Sequence, residues 1–266
     1  MFLASALPGV LVAQAPLLDH QLASAAWLDA QIPTLTAGGP SAVLILNPGM
    51  RLALTHGGTI DVVAELPFVS ATPPFDPLTT SSSSTLTGNP YIGLRFTHVD
   101  RWIDIGGRLP IARPDAASRG YPDSAAIFGD FDRHEAYIPD MASASFGITQ
   151  TTFGARGFGS RVGLSALIDV PVRSKSNEHV DLDANLYALF GYLAPRFAIL
   201  GGVTVNALLN RKVSIYGEAV SEQALLGIIF RTPYVRPSFS IRLPLSSNLS
   251  NLTKYVLQAG VVVGKP

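Results

Sequence analysis

The sequence predicts an all-β protein: a transmembrane, antiparallel up-and-down β-barrel of about 12 strands. Three observations predict it. From residue 41 onward, apolar and polar side chains alternate in runs of strand length. Four runs end in an aliphatic–proline–apolar triplet: Leu66-Pro67-Phe68, Leu109-Pro110-Ile111, Val170-Pro171-Val172 and Leu243-Pro244-Leu245. The connections alternate between tight and long, as short periplasmic turns and longer external loops do in outer-membrane barrels.

Composition narrows the class. The 266 residues suffice for one large β domain. Charged residues make up 14% of the chain, against roughly 25% in soluble domains. Mean hydropathy is +0.31, yet no stretch reaches the ~18 uninterrupted apolar residues of a spanning helix. A barrel reconciles the two, because lipid-facing residues alternate with inward-facing polar ones. The net charge of zero gives no electrostatic footprint for nucleic acid. The absence of cysteine excludes disulfides, thiol nucleophiles and thiolate metal sites.

Residues 1–15 read as a signal peptide. Phe2 to Val12 is apolar, and Ala13-Gln14-Ala15 fits a small-x-small cleavage site. The first charge is Asp19, so either the true start lies upstream or the signal is atypical; a short buried helix is the other reading. Residues 16–40 read as an N-terminal arm or a lumen plug. Leu17, Leu18, Leu22, Ala25 and Leu28 fall roughly on one helical face, ended by Pro33 and Gly38-Gly39-Pro40. A frayed terminus is the alternative.

Residues 41–266 are the expected barrel. Strands fall at about 42–47, 49–55, 59–69, 89–98, 101–111, 141–153, 160–172, 180–193, 196–208, 220–231, 234–245 and 254–264. Most have about the ~9–11 residues a tilted strand needs to cross a bilayer. The connections His56-Gly57-Gly58, Val99-Asp100, 154–159, Ala194-Pro195 and Thr232-Pro233 are tight, whereas 70–88, 112–140, 173–179, 209–219 and 246–253 are long. With the tight turns in the periplasm, 49–55 descends, and 41–47 must rise before it to make the total even.

Parity assigns the faces, since successive side chains point to opposite sides. The polar phase must face the lumen, because unpaired charge is costly in hydrocarbon. It carries Arg51, Asp61, Glu65, Arg95, Asp104, Arg108, Asp169, Asp183, Asn185, Arg236 and Arg242. These residues either line a polar passage or form an ion-pair network that fills a narrow barrel. Their mixed signs argue against a strongly ion-selective pore. Pro67, Pro110, Pro171 and Pro244 share the lumen phase, each at the expected external end of a rising strand. Pro237 sits mid-strand on the lipid phase, where a bulge or fraying is expected.

No catalytic, cofactor-binding or metal-ligating set emerges. His20, His56, His98, His134 and His179 lack metal-ligand spacing to one another. The 112–140 segment holds Asp115, Asp123, Asp130, Asp132, His134, Glu135 and Asp140 without an Asp-x-Asp-x-Asp-Gly calcium loop; it reads as a solvated external loop. Gly-x-Ser-x-Gly, phosphate-loop and dinucleotide motifs are missing. The chain reads as a non-enzyme, and a Ser–His pair on the wall acting on lipid is the enzymatic alternative.

Rising strands that end in aliphatic-Pro-aliphatic triplets, with the descending Gly88-Asn89-Pro90-Tyr91-Ile92-Gly93-Leu94-Arg95-Phe96, resemble a known group. They look like the outer-membrane transporter family named for the meta-pathway of phenol degradation, itself distantly similar to long-chain fatty-acid transporter barrels. The resemblance covers roughly residues 49–264. It implies a bacterial outer-membrane barrel that passes small hydrophobic or aromatic compounds, with the lipid bilayer and the outer-membrane assembly machinery as partners, and it transfers no catalytic residue. One departure is the C-terminus: Val261-Val262-Val263-Gly264-Lys265-Pro266 lacks the terminal aromatic that assists assembly, and Tyr255 is the nearest. A surface-interaction or structural barrel with a closed lumen is the competing expectation.

Overall fold

The computed structural model describes residues 24–36, 42–55, 59–72, 83–113, 126–127, 129–153, 156–172, 179–210 and 219–265. The expected signal at 1–15 lies outside the described residues. Fourteen antiparallel segments form one sheet. They are β1 (Ser24–Leu35), β2 (Ala42–Ala53), β3 (Ile60–Glu65), β4 (Phe68–Thr72), β5 (Ser84–Thr87), β6 (Tyr91–His98), β7 (Arg101–Arg108), β8 (Met141–Thr151), β9 (Gly157–Pro171), β10 (Asp181–Leu193), β11 (Phe197–Leu208), β12 (Val220–Phe230), β13 (Val235–Pro244) and β14 (Thr253–Lys265). β3 and β4 are two halves of one wall strand, since β2 pairs with both in turn. β5 and β6 are likewise halves of the next strand. Twelve strands therefore close the barrel, and β1 seals it by pairing with β14 on one side and β2 on the other.

The described part of the 16–40 segment is thus a wall strand and neither arm nor plug. Its alternation is strict: Ala25, Trp27, Asp29 and Gln31 are buried, while Leu28 and Ile32 are exposed. Without it, β2 and β14 would present open edges, which a sheet in lipid cannot tolerate. A second correction offsets the first. Residues 42–53 form one continuous strand, not two. Pro48 does not end it, because its side chain faces outward in phase and its carbonyl accepts the Leu66 N–H at 3.0 Å. The expected strand number survives because one strand was split and another was read as helix.

The lipid phase is as parity requires. Leu44, Met50, Ile92, Ile105, Phe146, Leu164, Leu186, Leu226, Phe239 and Leu257 are all exposed outward. The apolar flanks of all four proline triplets are exposed as well. Three triplets close a strand: β9 ends at Pro171, β13 at Pro244, and β7 two residues before Pro110. The fourth does not. After Pro67 the strand resumes as β4, so this side of the wall extends into what the pattern assigns to a loop at 70–88. Pro237 introduces no bulge: β13 pairs with β14 straight through it, while its ladder to β12 stops at Ser238. The long-loop end is termed upper below, and the tight-turn end lower.

Candidate functional site: a plugged lumen

The lumen has two tiers. In the lower tier, wall residues meet one another. Arg51 on β2 faces Asp61 on β3 at 3.8 Å, and Arg95 on β6 binds Asp104 on β7 at 2.7 Å. Asp61, Arg95 and Asp104 stand in register on three adjacent strands, alternating in sign. Across from them the lining is apolar, with Leu189, Leu193, Leu200, Leu225 and Ile229 in one buried cluster. Aromatic rings lie flat on wall glycines. Trp27 covers its cross-strand partner Gly49, and Tyr187 covers Gly163. A Cβ at either glycine would stand 2.3 Å from a ring carbon, so only glycine admits this packing. Leu189 is 0% exposed within this cluster.

The upper tier is filled by an inserted segment. Between β7 and β8 the chain turns inward, and the 3-10 helix Phe131–Tyr137 is buried along nearly its whole length. The expectation of a solvated external loop over 112–140 is therefore wrong for its described part. The physical reason is charge complementarity with the wall. Arg133 Nη1 reaches Asp29 at 3.0 Å and Asp130 at 2.8 Å, and its Nε reaches Glu65 at 3.2 Å. Arg108 Nε donates to Glu135 at 2.9 Å, and its Nη2 to Glu65 at 3.2 Å. Arg242 Nη1 meets Asp132 at 2.7 Å.

Amide and hydroxyl contacts fix the register of the plug. Asn47 Nδ2 donates to Asp130 at 3.0 Å, while Asn47 Oδ1 accepts the Tyr137 hydroxyl at 2.9 Å. Asn89 Nδ2 donates to the Ile138 carbonyl at 2.8 Å, and Asn89 Oδ1 accepts the Ala112 N–H at 2.8 Å. The short helix α1 (Ser247–Leu252) caps the plug, its Leu249 packing on Phe131.

The electrostatics of the plug follow from burial. Burial opposes the charge of Asp130, but Arg133 and Arg242 overcome it and hold the carboxyl below its usual range. Burial pushes Asp132 up, and Arg242 only partly offsets it. Burial would lower the pKa of His134, but Glu135, Asp183 and Asp169 raise it.

The sequence-derived residues separate into these groups. Arg51, Asp61, Arg95 and Asp104 make the lower network, and Glu65, Arg108 and Arg242 hold the plug. Asp169 and Asp183 sit together near His134. Asn185 accepts from Asn206 at 2.6 Å on the neighbouring strand. Arg236 stays at the lower mouth, its Nε 3.3 Å from the Thr232 carbonyl. Asp29, Asn47, Asn89, Arg133 and Tyr137 were missed. The alternation Trp27-Leu28-Asp29-Ala30-Gln31 was the available signal for Asp29; nothing local marks Arg133.

The wall has one notable feature outside. Pro48, Pro67 and Pro90 stand at one height on three adjacent strands, where the bonds Leu66 N–Pro48 O, Gly88 N–Pro67 O and Leu109 N–Pro90 O keep the wall joined. There an apolar groove of about 520 Å³ opens, lined by Met50, Leu66, Ile92 and Leu109, and it also reaches Glu65 and Tyr91.

No protein-family model and no curated protein matches the sequence. The fold does match solved structures. The COG4313 outer membrane channel from Pseudomonas putida F1 superposes with a TM-score of 0.60 at 10% identity, over 97% of each chain. The NanC porin superposes with a TM-score of 0.51 at 8% identity, over 89% of this chain and 98% of its own. A closed twelve-strand barrel with an apolar outer surface defines an outer-membrane β-barrel, and the outer membrane is its location.

Proposed function

We propose that the chain is a gated channel for small hydrophobic or aromatic compounds, with the segment 129–140 as its gate. The observation that carries this reading is the plug. A barrel wall can satisfy its own charges between neighbouring strands, as the lower tier does. Here a separate segment closes the upper lumen through polar contacts that can exchange for water. The apolar wall groove supports a hydrophobic cargo, because it offers such a compound a surface beside Tyr91 and Glu65. Arg51, Asp61, Glu65, Arg95, Asp104, Arg108, Asp169, Asp183, Asn185, Arg236 and Arg242 would border the passage once the plug leaves. Residues 1–15 would serve as the export signal, and outer-membrane assembly factors would insert the barrel.

The second reading is a structural barrel whose lumen stays closed. The many ion pairs of Arg133 favour it. Proteoliposomes separate the two. Flux of a small aromatic acid and of a sugar of similar size is measured for the wild type and for Arg133→Ala. The channel reading expects the variant to pass the aromatic acid faster than the wild type does and faster than it passes the sugar. No flux in either protein overturns it in favour of the closed barrel.

A further inference from the structure

The plug has a second face, away from the arginines. One ligand atom each from His134, Asp169 and Asp183 lies within 4.8 Å of the other two. All three residues are buried, at 3%, 1% and 5% exposure. His134 comes from the plug, Asp169 from β9 and Asp183 from β10. Asp181 stands opposite Asp169 across the ladder. The charges that act most on Asp169 come from Glu135, His134, Asp183 and Asp181, one imidazole among carboxylates. Glu135 is already bound to Arg108.

Two details point to a ligand. The buried Oδ1 of Asp169 has no hydrogen-bond partner among the described residues. His134 Nδ1 lies 3.4 Å from the Phe131 carbonyl. Metal-binding histidines are commonly oriented through such a backbone bond. With bonds of about 2.0–2.2 Å, ligand atoms on one ion stand at most about 4.4 Å apart. Small side-chain rotations therefore close the set. Calcium and magnesium prefer oxygen alone, whereas one imidazole with two carboxylates suits zinc or cobalt.

We propose that His134, Asp169 and Asp183 bind a divalent transition-metal ion of the zinc type, which ties the plug to β9 and β10. The site stands apart from the transport reading, since binding is measured on the protein in detergent without any flux. The full chain is stripped with a chelator and titrated with Co2+, and then with Zn2+. One equivalent of Co2+ should give a visible absorption band that Zn2+ abolishes. Asp169→Asn and Asp183→Asn should each weaken binding by about tenfold or more. Heat-modifiable gel mobility checks that these wall variants fold. His134→Gln lies on the plug, outside the wall, and should weaken binding comparably and shift the band. A wild type without the band overturns the site, as does unchanged affinity in His134→Gln. Binding of Ca2+ alone overturns the choice of metal.

Discussion

In the lower half of the lumen, Arg51–Asp61 and Arg95–Asp104 join neighbouring wall strands, whereas in the upper half Arg133 of the plug reaches Asp29 on β1 and Glu65 on β3. The lower pairs span one ladder spacing and are held by the backbone that holds the barrel. The upper pairs connect two bodies that share only their chain ends. Both halves bury their charged side chains, but only the upper one can open without breaking a strand pairing. The proposed gate therefore belongs to the upper half.

Four substitutions or conditions sharpen this contrast, from the largest effect to the smallest. Arg133→Met leaves Asp29, Glu65 and Asp130 without their shared cation. It should cost toward the upper end of about 3–5 kcal/mol of plug docking. Planar-bilayer conductance should rise while the unfolding midpoint of the barrel moves little; a quiet bilayer would place closure elsewhere. Asp104→Asn breaks one wall pair and should cost toward the lower end of about 3–5 kcal/mol, read as an earlier urea midpoint at unchanged conductance. A conductance rise here would erase the distinction between the halves. Tyr137→Phe removes one hydrogen bond to Asn47 and should weaken docking by about 1 kcal/mol, seen as more frequent channel openings.

The smallest effect is one of pH and is carried by a single imidazole. The pKa of His134 is raised, since Glu135, Asp183 and Asp169 outweigh burial. Its proton therefore favours the docked plug. That contribution is fully present below the ordinary value of 6.5 and is lost as pH rises through the raised one. In the metal-free protein, open probability should climb as pH rises above about 6.5, and it should stay flat in His134→Ala. A flat wild-type profile would detach His134 from docking.

Much of the fold was legible because a barrel wall is periodic. Asp61, Arg95, Asp104 and Arg108 announce the inward phase residue by residue, and Ile92, Leu94, Ile103 and Ile105 announce the outward one. The errors came where period is short or ambiguous. Residues 24–35 follow leucines whose spacing suits a helix, which masks the twofold alternation of the strand. Asn47-Pro48-Gly49 carries turn chemistry inside a continuous strand, and Pro48 is tolerated because its carbonyl still accepts the Leu66 N–H across the ladder. The plug was illegible for another reason. Its carboxylates and arginine look like any solvated loop until the wall charges stand opposite them.

By itself the sequence determined the class, the strand number through two offsetting misassignments, the phase of nearly every wall residue from β2 onward and the end at which the long connections lie. These follow from local alternation and turn chemistry, which a linear pattern contains. Only the tertiary structure decided that β1 closes the barrel, that Phe131–Tyr137 fills the upper lumen, and that His134 meets Asp169 and Asp183. Those contacts join residues far apart in the chain. Their energy comes from removing charges from water in pairs, and no local pattern records which charges will be paired.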